Sequence, residues 1–170
     1  MADEEETKIP VKAGEFEVGC LYRTNKPFSS RDFEMDAHPR WFLYLGRSDS
    51  CDCRVVAYIF SSTTQIHHFM DDGDKKNSPY RKYAKGRYNF TEDCVICFDD
   101  IIDYLGEEDL IVYEPVFIDK FDNDELINVY NCILKSNKVK KIAKIDIHNN
   151  LSKIGISDLP APKRKLRYKL

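Results

Sequence analysis

The sequence predicts an α+β protein in which a small, twisted antiparallel barrel of short strands is followed by helices. Up to about residue 120, short apolar or alternating runs are separated by polar turn residues, which is typical of strands. After Phe121, apolar residues recur with helical spacing. Strands first and helices last favour α+β over an alternating α/β fold, and 170 residues suit one domain with one core.

The strand predictions rest on the pattern of side chains. We predict strands at residues 15–22, 41–46, 55–60, 93–98 and 110–118. Residues 15–22 alternate between polar and apolar side chains, whereas residues 41–46 form a continuous apolar run, which indicates a buried strand. Pro115 cannot donate a backbone hydrogen bond, so the last of these strands is expected at a sheet edge.

The helices are predicted from capping residues and from the spacing of apolar positions. Asp122 and Asn123 are N-cap candidates for a helix that runs to about Leu134. A second helix is predicted at residues 138–154, although its middle also allows a strand. Its apolar stripe would consist of Val139, Ile142, Ala143, Ile147, Leu151 and Ile154. A short helical turn ended by a glycine is expected at residues 99–106.

The chain divides by composition into four segments. These are a flexible acidic arm (1–13), the barrel core (14–120), a C-terminal helical extension (121–158) and a basic tail (159–170). The formal net charge of −3 points to no particular partner. No apolar run approaches the ~18 residues of a spanning helix, and the first residues are acidic, so we expect a cytoplasmic protein that does not enter a membrane.

The cysteines raise the question of a metal site. All six are expected to be reduced in the cytoplasm. Cys51 and Cys53, with Cys94 and Cys97, have the residue types of a four-sulfur zinc site. However, positions three apart on a strand point to opposite faces, so Cys94 and Cys97 are poorly placed to chelate. We therefore predict buried thiols, no metal and no cofactor, and zinc remains the alternative.

The strongest functional signal lies at two neighbouring strand ends. His38, Pro39 and Arg40 open the strand at 41–46, and residues 61–65 (Ser-Ser-Thr-Thr-Gln) end the next one. Antiparallel neighbours joined by a short loop bring the start of one strand beside the end of the other. A permanent cation then faces hydroxyl groups at one end of the sheet, which is a suitable anchor for a phosphate.

A second candidate surface lies in the polar segment 71–87, which we predict to be a loop. Its end carries alternating aromatic and basic residues, namely Tyr80, Arg81, Lys82, Tyr83, Lys85 and Arg87. Aromatic rings can stack on bases while neighbouring cations neutralise phosphates, so these residues are candidates for RNA binding. A surface loop without a ligand would have the same composition.

The order of these elements resembles the MazF/PemK family of sequence-specific endoribonuclease toxins, within the CcdB/PemK superfamily. The resemblance covers about residues 15–105, with matches at Arg40, at Thr63 and at residues 100–102. The family has an Arg-Pro element where this chain has Pro39-Arg40. The resemblance implies an SH3-like barrel, metal-independent cleavage of single-stranded RNA to a 2′,3′-cyclic phosphate, a homodimer and an acidic antitoxin partner.

On this reading, Arg40 stabilises the charge of the transition state and Thr63 binds the phosphate or the attacking 2′-hydroxyl. His38 and Glu34 are the candidates for proton transfer. Ser62 and Gln65, beside Thr63, are expected to contact the RNA. The alternative is a non-catalytic SH3-like barrel that binds RNA or a protein through the basic loop and the basic tail.

Overall fold

A computed structural model describes residues 8–28, 39–49 and 54–163. Four residues of interest therefore lie outside the described residues, namely Glu34, His38, Cys51 and Cys53, as does most of the predicted basic tail. The predicted flexible arm is attached to the sheet at Val11, whose backbone N–H donates to the carbonyl oxygen of Pro115 at 2.8 Å. No helix in the described ranges combines the length and the apolar character that crossing a membrane would require.

Six strands form one antiparallel sheet. They are β1 (Cys20–Thr24), β2 (Trp41–Arg47), β3 (Ala57–Thr63), β4 (Tyr80–Tyr83), β5 (Cys94–Ile102) and β6 (Pro115–Lys120). Their order across the sheet is β4-β5-β3-β2-β1-β6. The predicted α+β class is confirmed. The described strands leave β4 and β6 as open edges, so closure into a barrel is not confirmed.

Side chains nevertheless connect the two edges of the sheet. Asn89, in the segment after β4, donates from its side-chain amide to the Asp119 carboxylate on β6 at 3.0 Å. The ring of Tyr88 stacks on that of Phe121 with 4.3 Å between centroids, and its hydroxyl donates to Asp122. The segment that follows edge strand β4 therefore reaches the opposite edge of the sheet through its side chains.

Two loop and turn predictions are wrong. Tyr80–Tyr83 is strand β4 rather than part of a polar loop, because its backbone pairs with β5 from Tyr80↔Cys97 to Tyr83↔Cys94. Residues 99–106 are not a helical turn, because β5 continues to Ile102. The short helix α1 (Glu107–Leu110) begins only after Gly106. In both places pairing with a neighbouring strand outweighed the local composition.

The two C-terminal helices are confirmed. In α2 (Asn123–Lys135), the Asp122 side chain accepts a hydrogen bond from the backbone N–H of Glu125 at 2.8 Å, as an N-cap does. The second, α3 (Lys141–Lys153), excludes the strand alternative. Its predicted stripe is wrong at two positions, since Ile142 and Ile154 are exposed. Asp146 is buried on this helix instead and accepts from the Tyr58 hydroxyl at 2.6 Å.

The sheet has two differently covered faces. The helix face packs against α2 and α3 in one apolar cluster that includes Leu43, Phe60 and Ile96. The opposite face, called here the cleft face, carries an aromatic cluster around Phe42 and a smaller one of Phe69, Val95 and Cys97. Cys94 belongs to the helix-face cluster and Cys97 to the cleft face, so the two thiols do point in opposite directions.

Candidate active site

The pairing of β2 with β3 places Arg40 opposite Thr63. Phe42 pairs with Ser61 and Leu43 with Phe60, and continuing this register by two residues brings Arg40 and Thr63 together. The backbone of Arg40 is held from the other side by buried Thr24: its N–H donates to the Thr24 hydroxyl at 2.8 Å, and its carbonyl accepts from the Thr24 N–H at 2.8 Å. The backbone register therefore brings Arg40 beside the hydroxyl-rich end of β3.

The alternation of side chains determines which groups share the cleft face. Arg40 lies two residues before Phe42 on β2, and Ser61 and Thr63 follow Ile59 on β3; Phe42 and Ile59 belong to the cleft-face cluster. Arg40, Ser61 and Thr63 are therefore on one face. Ser62, between the two hydroxyl residues, pairs with Ile96 of the helix-face cluster but still lines the cleft at the end of the strand.

These residues line a cleft of about 410 Å³, which is in the ~300–1,000 Å³ range of ligand pockets. Its lining comes from the start of β2 (Pro39, Arg40, Trp41), the end of β3 and the residues after it (Ser61 to Gln65), the following segment (His68, Phe69, Lys75), the segment before β5 (Phe90, Thr91, Glu92) and β5 itself (Cys94, Cys97, Asp100). Cations, carboxylates, hydroxyls and aromatic rings therefore meet in one depression.

An irregularity in β5 brings Asp100 into the cleft. Phe60 pairs with Ile101 but Ser62 pairs with Ile96, so β5 has extra residues at this point. Such bulges bend a strand and redirect its side chains, often beside active sites. The Asp100 carboxylate accepts from the ammonium of Lys75 at 2.7 Å. Burial alone would lower the pKa of Lys75, but the contact with Asp100 outweighs it and the pKa is raised. The ammonium group of Lys75 is therefore protonated and positively charged at neutral pH.

The segment after β3 adds a histidine that the sequence reasoning missed. Ile66–Phe69 forms a 3₁₀ turn, and His68 lines the cleft. Its ring Nδ1 lies 2.8 Å from a carboxylate oxygen of Asp74. The hydrogen bond with His68 is the main reason that the pKa of Asp74 lies below its ordinary value. The sequence does contain a turn signal, Asp-Asp-Gly-Asp at 71–74, which indicates that the chain reverses just after His68.

A tight backbone turn holds this segment together. The N–H of Lys75 donates to the carbonyl oxygen of His68 at 2.8 Å. A Cβ atom at Gly73 would lie only 2.1 Å from that same oxygen, so the turn requires glycine at this position. Phe69 is buried on the cleft face, and its carbonyl accepts from the Tyr80 hydroxyl at 3.3 Å. The wall that carries His68 is therefore fixed to β4 and β5.

The predicted RNA-binding residues of 80–87 separate into two groups. Arg81, Tyr83 and Arg87 all donate to one carboxylate, that of Glu125 on α2. Arg81 binds it with two nitrogens at 2.9 and 2.8 Å, the Tyr83 hydroxyl lies at 2.7 Å and an Arg87 nitrogen at 3.2 Å. Glu125 is only 1% exposed. A base-stacking role for Tyr83 is wrong, because its ring is completely buried.

The pKa of Glu125 reflects these contacts. Burial alone would raise it, but the hydrogen bonds from Arg81 and Tyr83 outweigh burial and hold the pKa below its ordinary value. The carboxylate is therefore ionised at neutral pH and connects α2 to β4. We call Glu125 with its three donors the Glu125 cluster.

The remaining residues of the predicted basic loop stay accessible. Tyr80 and Lys82 lie on the cleft face, since they pair with Cys97 and Val95. Tyr80 packs against Phe69 with 5.0 Å between ring centroids, and Lys82 is exposed. Lys85 is exposed as well, outside the strand. Tyr80 is partly exposed, and Arg87 of the Glu125 cluster keeps about half of its side chain exposed as well.

No grouping of three or more His, Cys, Asp or Glu side chains suited to a metal occurs among the residues that the structure describes. The zinc alternative falls partly on Cys51 and Cys53, outside those residues. No family model, curated protein or solved structure matches this chain.

Proposed function

We propose that this protein is an endoribonuclease that cleaves single-stranded RNA without a metal ion. The observation that carries the proposal is the position of Arg40 beside the hydroxyl residues Ser61 and Thr63 at one end of the sheet, within a cleft. A guanidinium can hold two phosphate oxygens at once, and hydroxyls can donate to a third.

The cleft is also suited to a single strand rather than a duplex. Three aromatic residues line it, of which Phe69 and Phe90 are buried and Trp41 is partly exposed. The Trp41 ring stacks on that of Phe90 with 5.4 Å between centroids. An unpaired base can stack on the accessible part of such a ring, whereas the bases of a duplex are already stacked.

The reaction needs few groups beyond these. The ribose 2′-oxygen attacks the adjacent phosphorus in line, and the bond from phosphorus to the 5′-oxygen breaks. The products are a 2′,3′-cyclic phosphate and a 5′-hydroxyl. Negative charge grows on the non-bridging oxygens, where Arg40 stabilises it, while Thr63 orients the attacking hydroxyl. Thr24 holds the backbone of Arg40 in place, which fixes the point from which its side chain extends.

The wider proposal follows the sequence resemblance. It comprises a toxin role in the cytoplasm, a homodimer, an acidic antitoxin partner and an SH3-like barrel. The hydrogen bond from Asn89, in the segment after edge strand β4, to Asp119 on edge strand β6 supports the barrel, since it needs a strongly curved sheet. Glu34 and His38 remain predicted contributors to proton transfer outside the described residues.

The test compares Arg40→Ala with wild type on a long single-stranded RNA in EDTA, with the new ends mapped. Wild type should yield cyclic-phosphate ends, and Arg40→Ala should cleave roughly 10²–10³-fold more slowly. Arg47→Ala, an exposed arginine at the other end of β2, is the matched control and should cleave normally. Equal cleavage by Arg40→Ala and wild type would exclude this site.

The same experiment decides the alternative function. RNA that stays intact after long incubation with wild type, but that binds in a salt-sensitive way, would favour a non-catalytic module. Lys82 and Lys85 are exposed basic residues that such binding would use and that have no part in the Glu125 cluster. Replacing both with alanine should then weaken binding and reduce its dependence on salt.

A further inference from the structure

We propose that His68 is the general base of this reaction and that Asp74 positions it. The inference rests on the proposed function, because it assigns a proton acceptor to the same cleft. His68 removes the proton of the attacking 2′-hydroxyl through its ring Nε2. Asp74 holds the other ring nitrogen and thereby selects the tautomer that can accept.

The contact between the two residues supports these separate roles. His68 lines the cleft together with Arg40 and Thr63, whereas Asp74 is not among the lining residues. The Nδ1 of His68 lies 2.8 Å from an oxygen of Asp74. An ionised carboxylate only accepts hydrogen bonds, so Nδ1 carries the proton and Nε2 keeps its lone pair in the neutral ring. Asp74 stays ionised because its pKa is lowered, first by the hydrogen bond with His68.

The backbone around the pair is ordered by its own contacts. Phe69 anchors the 3₁₀ turn in the cleft-face core and is 4% exposed. The N–H of Gly73 donates to Met70 and that of Lys75 to His68, both at 2.8 Å. These backbone hydrogen bonds close the turn that brings Asp74 beside His68. The His68 side chain keeps 37% of its surface exposed, so a substrate can reach it.

The cleft that His68 lines also contains charged groups from its other walls. Two are cations, Arg40 on β2 and Lys75 in the same segment, and two are carboxylates, Asp100 on β5 and Glu92 before it. Lys75 and Asp100 are paired with each other at 2.7 Å, whereas Asp74 contacts the imidazole directly. The neighbouring ring of His67 lies 4.2 Å away between centroids.

The proton and bond changes balance with water as the proton donor to the leaving group. The 2′-hydroxyl proton passes to Nε2 of His68 while the oxygen–phosphorus bond forms. The bond from phosphorus to the 5′-oxygen breaks, and that oxygen takes a proton from water. The imidazolium then returns its proton to solvent, which restores the enzyme.

The experiment measures cleavage of the same RNA in EDTA across pH for wild type, His68→Ala and His68→Gln. General-base catalysis is typically worth about 10²–10⁴-fold, so kcat should fall by at least 10²-fold with KM little changed. The wild-type rate should rise with pH through the range in which histidines titrate, about pH 5–8, and both variants should lose this rise. His67→Gln, an exposed neighbour that does not line the cleft, is the matched control and should behave as wild type.

Asp74→Asn tests the positioning role. Removing the carboxylate should lower kcat about tenfold and move the rise of the pH profile to lower pH, because the imidazolium loses its ionic partner. Asp72→Asn, an exposed aspartate of the same turn, should do neither. A purely structural role for Asp74 would reduce the rate without moving the profile, and that outcome would overturn this assignment.

The outcomes separate this inference from the proposed function. If wild type cleaves, Arg40→Ala does not, and folded His68→Ala or His68→Gln cleaves with an unchanged pH profile, His68 is not the base and the function stands. If wild type does not cleave, the function itself fails. An oligonucleotide with sulfur in place of the 5′ leaving oxygen needs no acid. Restored cleavage of it by His68→Ala would make His68 the acid instead and would overturn the proposal.

Discussion

Removing the carboxylate of Glu125 should destabilise the protein by about 3 kcal/mol, a loss within the range known for breaking buried charge pairs. Glu125 is 1% exposed on α2 and accepts from Arg81, Tyr83 and Arg87. The perturbation is Glu125→Ala, which leaves all three donors in place without an acceptor. Because these bonds join α2 to β4 and the segment after it, the cost falls on the packing of the helix against the sheet.

The magnitude follows from the surroundings of each donor. The Tyr83 hydroxyl is fully buried, and an unpaired buried group of this kind costs about 1–3 kcal/mol. The two bonds from Arg81 are charge-assisted and contribute about 1.5–3 kcal/mol. Water can still reach Arg81, whose side chain is 32% exposed, which moves the expected total to the lower end. Arg87, half-exposed and at 3.2 Å, adds little.

The assay is urea unfolding followed by tryptophan fluorescence and circular dichroism. With a slope of about 2 kcal/mol/M, a loss of about 3 kcal/mol lowers the midpoint by about 1.5 M. Asp124→Ala is the matched control: this carboxylate, exposed and one residue earlier on α2, should cost less than about 1 kcal/mol when removed. Glu125→Gln keeps an acceptor for Tyr83 and should fall between them. A loss below about 1 kcal/mol in Glu125→Ala would refute the reasoning.

The remaining predictions concern acid stability and the turn that carries the proposed base. The pKa of Glu125 is lower in the folded than in the unfolded protein, so its contribution is complete above the unfolded value of about 4.3 and is lost as pH falls through the folded value. The urea midpoint of wild type should therefore fall on acidification more steeply than that of Glu125→Gln, and parallel curves would contradict this. Gly73→Ala should reduce RNA cleavage at least tenfold while Asp72→Ala does not, because the added Cβ would lie 2.1 Å from the carbonyl oxygen of His68. Normal cleavage and stability in Gly73→Ala would show that the turn adapts.

The cation and the hydroxyl residues of the cleft could be predicted because strand register is a regular geometry. Once β2 and β3 are recognised as antiparallel neighbours, the short loop between them places Arg40, before β2, beside Thr63 at the end of β3. His68 and Asp74 could not be predicted in the same way. Their contact depends on a 3₁₀ turn and on a glycine turn at Gly73, and no periodic pattern announces either.

The residues of β4 show the limit of composition as a guide. Alternating aromatic and basic side chains at 80–83 resemble a nucleic-acid-binding loop, yet Arg81 and Tyr83 point inward to Glu125. Nothing in the local sequence identifies that partner, which lies more than forty residues later on another element. A buried carboxylate is costly without hydrogen-bond donors, and Arg81 and Tyr83 supply donors to Glu125. This structural role exists only where α2 packs against β4, so it cannot be seen in the sequence of β4 alone.

The sequence by itself determined the α+β class, most strands, both C-terminal helices and the cap at Asp122, because these depend on side-chain period and on local hydrogen bonds. The tertiary structure decided which polar groups are buried, how far β5 extends and how the sheet is bent so that Asp100 reaches the cleft. Burial and bulges depend on contacts between distant segments. Local patterns carry no record of those contacts, so only the folded chain assembles the proposed site.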